Sequence, residues 1–235
     1  VAGVAHEINT PVGIGIAASS SMVSKTDQLE ESFQNKKMTM SELQSYLEST
    51  KQACDLIFSN LNRTAELVKS FKQVSVDNMT EQKRQFNLLE YLNDIVRSLG
   101  PKLKVRPVNV EFDCAENIEL NSYPGAFYQV ITNFINNSLM HAFEENQPGE
   151  MKIKAFIENN MFTLIYTDNG KGIPQENLAK VFDPFFTTNM QVGTGLGMNI
   201  TYNIITQKLG GEINLESKIG EGVMFTITIP MSKLI

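Results

Sequence analysis

The sequence predicts an α+β protein: a two-helix hairpin that pairs into a dimeric four-helix bundle, followed by an α/β sandwich domain. Three observations carry this. Apolar and small residues across 1–78 recur with a period of about 3.5 to 3.6 residues. The polar stretch 77–85, Asp-Asn-Met-Thr-Glu-Gln-Lys-Arg-Gln, breaks that period and reads as a linker. Beyond it, helical and strand patterns alternate to the end of the chain, as expected for a mixed sheet with helices on one face. The predicted domains are 1–78 and 79–235, and 235 residues suffice for a core in each.

The first helix carries Val1, Val4, Ile8, Met22, Leu29 and Phe33 on its apolar stripe. Pro11 removes a backbone hydrogen bond within it, and Gly13 and Gly15 follow, so a hinge is expected there. The period stops near Asn35-Lys36-Lys37. Thr39 and Glu42 then form a capping-box pattern that starts a second helix. In that helix Leu43, Leu47, Thr50, Cys54, Ile57, Leu61, Thr64, Val68 and Phe71 alternate in steps of four and three, a coiled-coil-like seam. One hairpin leaves such a seam uncovered, so a homodimer is expected. In the second domain, Leu88–Leu103 and Tyr123–Phe143 read as helices and Val108–Phe112 as a strand. Met151–Ile157 and Phe162–Tyr166 form a predicted hairpin. Ile200–Leu209 is helical up to Gly210-Gly211, and strands at Ile213–Leu215 and Val223–Ile229 follow.

The formal net charge of −6 argues against a general nucleic-acid binder, which needs clustered Lys and Arg. Cys54 and Cys114 have no metal-ligand spacing and read as free thiols. No apolar run approaches the roughly 18 residues needed to span a bilayer. Val1 already lies in helical pattern with no N-cap before it. The expectation is a fragment of a longer protein, its cytoplasmic portion.

Two regions carry chemistry. In His6-Glu7-Ile8-Asn9-Thr10-Pro11, residues i and i+4 share a helix face, which sets the Thr10 hydroxyl beside the His6 ring. Glu7 follows directly, and a carboxylate on the imidazole N–H makes the other nitrogen more nucleophilic. The only other histidine is His141, which excludes a histidine-rich metal tract.

The second region is built from separated clusters. Asn133 and Asn137 lie one turn apart, and their amide oxygens suit a hard cation such as Mg²⁺. Asp168-Asn169-Gly170-Lys171-Gly172-Ile173-Pro174 follows an apolar strand; its carboxylate can accept an exocyclic amine while Gly170 and Gly172 allow close backbone approach. Phe182-Asp183-Pro184-Phe185-Phe186 supplies aromatic rings. Gly193-Thr194-Gly195-Leu196-Gly197 precedes a helix whose free N–H groups suit phosphates.

Together these motifs make nearly the whole chain resemble the transmitter core of a two-component sensor histidine kinase. His6–Pro11 resembles the family's H box and Asn133–Ala142 its N box. Asp168–Ile173 and Gly193–Gly197 resemble the two glycine boxes and Phe182–Phe186 the F box, with 171–197 as the ATP lid. The resemblance implies a catalytic ATP-binding domain of the gyrase, chaperone and histidine-kinase type. It implies ATP and Mg²⁺ as cofactors, His6 as phosphoacceptor and Glu7 as its assisting base or acid. It also implies a response-regulator receiver domain as partner, with Thr10 orienting water on that partner's phosphoaspartate. Asn137 matches the Mg²⁺ ligand and Asp168 the adenine reader. Asn133, His141, Gly170, Gly172, Ile173, Phe182, Thr194, Gly195, Leu196 and Gly197 complete the nucleotide set. Met140 departs from the pattern, standing where many members carry a phosphate-contacting lysine; Lys171, another residue or a heavier reliance on Mg²⁺ would then compensate. The resemblance also implies a sensor region upstream of Val1, in a parent that such families either leave free or anchor in the inner membrane.

The alternative is an ATP-hydrolysing clamp of the gyrase and heat-shock chaperone type. Those ATPases place a water-activating glutamate one turn before the Mg²⁺-binding asparagine. Here that position is Asn133, which cannot take a proton. A scaffold that binds nucleotide without chemistry is disfavoured because no box is broken beyond Met140.

Overall fold

The computed structural model describes residues 2–76, 82–105, 107–144, 147–188 and 193–235, with the side chains of 2–7, 63, 66, 67 and 69–76 outside the description. It divides into two compact units, Val1–Ser75 and Val76–Ile235. Among the described residues no helix is long and apolar enough to cross a membrane.

The first unit is a hairpin of α1 (Ala2–Gln34) and α2 (Met40–Val76). Helix α1 runs through the buried Pro11 without interruption. At its end Lys36 takes a left-handed φ of 57°, and the Lys37 N–H turns back to the Ser32 carbonyl. The expected capping box is present: Glu42 N–H donates to Thr39 Oγ1, while the Thr39 N–H donates to Glu42 Oε2 at 2.7 Å. Lys25 Nζ donating to Ser49 Oγ, and the 2.9 Å pair of Thr26 and Tyr46 hydroxyls, join the two helices.

The expected single seam on α2 divides into two rows. Leu43, Thr50, Ile57 and Thr64, with Tyr46 and Ala53, are half-buried within the hairpin. Leu47, Cys54, Leu61 and Val68 recur every seventh residue and remain exposed, Leu47 and Leu61 by 57% and 56%, with Phe58 beside them at 70%. One partner helix can cover only one flank of α2, so the period is shared between an inner and an outer face. Phe71 falls outside the described side chains.

The second unit opens with β1 (Arg84–Asn87), α3 (Leu88–Ser98) and α4 (Gly100–Leu103). Asn87 caps α3 by accepting from the Glu90 N–H at 3.0 Å. Strands β2 (Val108–Cys114) and β3 (Glu119–Ser122) lead to α5 (Pro124–Asn137), which widens into a π-turn at Ser138–Ala142. Then come β4 (Gly149–Glu158), β5 (Met161–Asp168), the short α6 (Gln175–Leu178), and α7 (Gly197–Asn203), also ending in a π-turn. β6 (Glu212–Lys218) and β7 (Gly222–Pro230) follow.

Three expectations change here, the first being that the helix expected over Leu88–Leu103 breaks at Leu99 into α3 and α4, where Pro101 cannot continue the hydrogen-bond ladder of α3. Arg84 and Gln85, expected in a linker, belong to β1, which pairs antiparallel with β3. Four-residue strands with one or two buried side chains each are too short to show a period. The helix expected to run unbroken to Phe143 loses α geometry at Ser138.

The main sheet has the order β2-β4-β5-β7-β6, with only β2 and β4 parallel. The β4–β5 turn places Asn159 and Asn160 at φ 49° and 62°, which suits a tight hairpin. Met151, Ile153, Phe162, Leu164, Tyr166, Phe225, Ile227 and Ile229 line the buried face. Phe134 of α5 stacks on Phe225 at 4.5 Å and lies 5.1 Å from the Tyr166 ring. Each such ring, fully buried, contributes about 1.5–3 kcal/mol. This packing fixes α5 over the end of β5, where the polar motifs meet.

Candidate functional site

The site begins with Asp168, the last residue of β5, only 6% exposed. Its Oδ2 accepts from Ser138 Oγ at 2.5 Å and its Oδ1 from the Gly170 N–H at 3.0 Å. Burial pushes its carboxyl above the ordinary range, and the Ser138, Gly170 and Val223 donors pull it back. Ser138 in turn lies 2.7 Å from the Tyr166 hydroxyl. Neither Ser138 nor Tyr166 was expected in the site. Both had a sequence signal: Ser138 follows Asn137 directly, and Tyr166 shares a strand face with Asp168 at i, i+2.

The glycines after Asp168 are sterically required. A Cβ on Gly170 would collide with Ala142, and one on Gly172, at φ 72°, with the Lys218 carbonyl. The Lys171 N–H donates to the Ala142 carbonyl, joining this loop to the end of the π-turn. Ile173 is half-buried, its N–H donating to Ser217 Oγ. The N-box pattern and the first glycine cluster therefore form one contact.

The two asparagines part company. Asn133 Nδ2 donates to the Gly197 carbonyl at 2.9 Å and Thr201 Oγ1 at 3.0 Å, while its Oδ1 accepts from Gln129. Asn137 is half-buried, and among the described residues nothing bonds its side chain. The shared cation face expected from their spacing reduces to Asn137, because the Asn133 amide is committed to α7.

At the second glycine cluster, Thr194 Oγ1 accepts from the Leu196 N–H, Leu196 is buried, and Gly197 opens α7. Gly195 has φ 68° and passes so close to Phe185, itself at φ 67°, that any side chain there would strike the Phe185 backbone. Phe182 packs its ring on Tyr202 and Phe225, and its carbonyl accepts from Asn199, so it anchors the middle of the expected lid. His141 is half-buried; burial first, and Lys171 second, hold its imidazole below the ordinary range. A Cβ on Gly193 would lie 3.5 Å from its Nε2. Met140 is exposed. Lid residues 189–192 lie outside the described residues.

His6 and Glu7 belong to α1, but their side chains lie outside the described residues. Thr10 is exposed on the same helix.

Among the described residues no three His, Cys, Asp or Glu side chains cluster as a metal site. A cation here would rely on the uncommitted Asn137 amide together with oxygens of a bound ligand. That donor set fits Mg²⁺, which is commonly shared between protein oxygen and substrate phosphate.

Residues 123–233 match the family described as histidine kinase-, DNA gyrase B- and HSP90-like ATPase. The chain is 27% identical over 185 residues to the signal transduction histidine-protein kinase ArlS of Staphylococcus aureus, covering 75% of this chain and 40% of that protein's length. It resembles the catalytic domain of histidine kinase ThkA at 30% identity and a TM-score of 0.57, over 65% of this chain and 99% of that one. ThkA in complex with the response regulator protein TrrA shares the fold at 23% identity and a TM-score of 0.68, over 99% of this chain and 61% of that one.

Proposed function

The chain belongs to the histidine kinase family, and from that premise we propose that it phosphorylates its own His6 with ATP and passes the phosphoryl group to an aspartate on a response-regulator receiver domain. The observation that carries the nucleotide half is the buried Asp168 carboxylate, held by Ser138 and Gly170, with the uncommitted Asn137 amide one residue before Ser138 in the chain. The carboxylate accepts the exocyclic amine of adenine, and Gly170 and Gly172 let the base approach the backbone. The Gly195 and Gly197 amides receive phosphate oxygens. Asn137 would hold Mg²⁺, which supplies charge neutralisation on the phosphates.

In the transfer, an imidazole nitrogen of His6 forms a bond to the γ-phosphorus as the bond to the ADP oxygen breaks. Glu7 takes the ring proton. The work is alignment and charge neutralisation. In the second step an aspartate oxygen of the receiver displaces the imidazole. A water held by Thr10 against the phosphoaspartate would remove the group again, making the protein a regulator phosphatase as well. The ThkA–TrrA complex supports the choice of partner.

The hydrolysing-clamp alternative loses support from Asn133. Its amide replaces the general base and is engaged by Gly197 and Thr201. The exposed row Leu47, Cys54, Leu61 and Val68 supports a homodimer, since a second hairpin is the simplest cover for it.

The test uses ATP labelled on its γ-phosphate. Acid-labile label should remain on the protein, and His6→Gln should abolish it while nucleotide affinity is unchanged. Label released as free phosphate, with none retained, would favour the hydrolysing clamp.

A further inference from the structure

A chain of three buried polar groups ends at the base-reading carboxylate. Tyr166 is 0% exposed, Ser138 3% and Asp168 6%. Ser138 has one hydroxyl hydrogen, and it goes to Asp168 Oδ2 at 2.5 Å, the short length of a charge-assisted bond. The 2.7 Å contact between Ser138 and Tyr166 therefore runs one way, with the Tyr166 hydroxyl donating to Ser138 Oγ. The Tyr166 ring itself is held by Phe134 at 5.1 Å.

We infer that Tyr166, acting through Ser138, is the positioning residue that fixes Asp168 as a base reader and makes purine choice depend on a hydroxyl placed behind the carboxylate. This rests on the reading of Asp168 as the adenine acceptor. The physical argument is orientation. A carboxylate free to turn accepts from many directions, whereas one with Oδ2 tied to Ser138 and Oδ1 to the Gly170 N–H presents its remaining lone pairs in one direction. Adenine offers an amine there and guanine a carbonyl oxygen. A site built around an oriented acceptor rejects the base that offers no donor at that position. Ser138 also opposes the burial that would otherwise favour the protonated, donating form.

The experiment measures dissociation constants for ATP and GTP with the intact chain and with Tyr166→Phe, Ser138→Ala and Asp168→Asn, singly and combined. Tyr166→Phe keeps the ring and removes one oxygen. It and Ser138→Ala should each weaken ATP binding up to about tenfold, the range of one buried hydrogen bond, while GTP binding changes little. In the Asp168→Asn background, neither substitution should have a further effect. Equal losses for ATP and GTP, or the same loss in the Asp168→Asn background, would mean general loosening and overturn the inference, as would unchanged ATP affinity. If Asp168→Asn alone leaves the ATP-to-GTP ratio intact, the reading of Asp168 itself fails, and the inference with it.

Discussion

The Asn133 side-chain amide donates to the Gly197 carbonyl at 2.9 Å, binding the middle of α5 to the first residue of α7. Helix α5 carries the N-box residues and α7 begins at the second glycine cluster. The bond therefore sets the distance between two parts of the proposed nucleotide site.

Asn133→Ala should lower stability by roughly 1–3 kcal/mol, since the Gly197 carbonyl and Thr201 hydroxyl lose a partly buried partner. ATP affinity should fall with it, while the Mg²⁺ dependence of the remaining labelling stays as in the parent. Chemical denaturation and calorimetry check this; an unchanged denaturation midpoint would refute the bracing role.

Asn137→Asp is expected to behave in the opposite way. Its side chain is half-buried, and nothing among the described residues bonds it, so stability should stay within about 0.5 kcal/mol. Labelling of His6 should be crippled and its Mg²⁺ requirement displaced. Titrating Mg²⁺ against labelling rate decides it, and an unaltered curve would remove Asn137 as the ligand.

The exposed row on α2 makes an oligomeric prediction. Leu47→Glu with Leu61→Glu should convert a dimer to a monomer, because each leucine buried between hairpins contributes about 1.5–3 kcal/mol and a carboxylate there opposes burial. Light scattering on the eluted protein measures the mass. A monomeric parent, or a dimer that survives both changes, contradicts the assignment.

Asp168 predicts a pH dependence with two signs. Its folded pKa is raised by burial, so its own contribution to stability is fully present below the unfolded value and is lost as pH rises through the folded one. Nucleotide affinity runs the other way, because the protonated carboxyl no longer accepts the adenine amine on all its lone pairs. ATP binding should weaken on acidification at a higher pH than an exposed aspartate would produce. Asp168→Asn should flatten this response, and parallel binding and melting curves taken from below the ordinary aspartate range up to neutral pH would expose any failure.

Thr10→Ala should leave labelling of His6 and forward transfer intact and slow the loss of phosphate from the regulator. Only that last step needs a positioned water. Both reactions are assayed side by side with the regulator. Equal loss of the two would assign Thr10 a purely structural part in α1.

Much of the architecture was legible because its causes are local. The Thr39–Glu42 capping box spans one turn, the Asn159-Asn160 hairpin turn needs only its own φ angles, and Gly210 stops its helix at φ 67°. Strands β4, β5 and β7 alternate buried and exposed residues over several positions, enough for a period to emerge. β1 and β3 are too short for that, and only their mutual pairing makes them strands.

By itself, then, the sequence determined the two-part α+β architecture, the order of the polar clusters and the residue types available for chemistry. Helical and strand periods, caps and glycine tolerances act over a few neighbours. Tertiary structure decided which groups meet. It joined Ser138 to Asp168 across thirty positions, committed Asn133 to Gly197 across sixty-four, and left Asn137 without a bonded partner among the described residues. It also split one seven-residue pattern into an inner row and an outer row. A hydrogen bond depends on a separation of about 3 Å in space, and residue spacing along the chain does not encode it once the chain has turned back on itself.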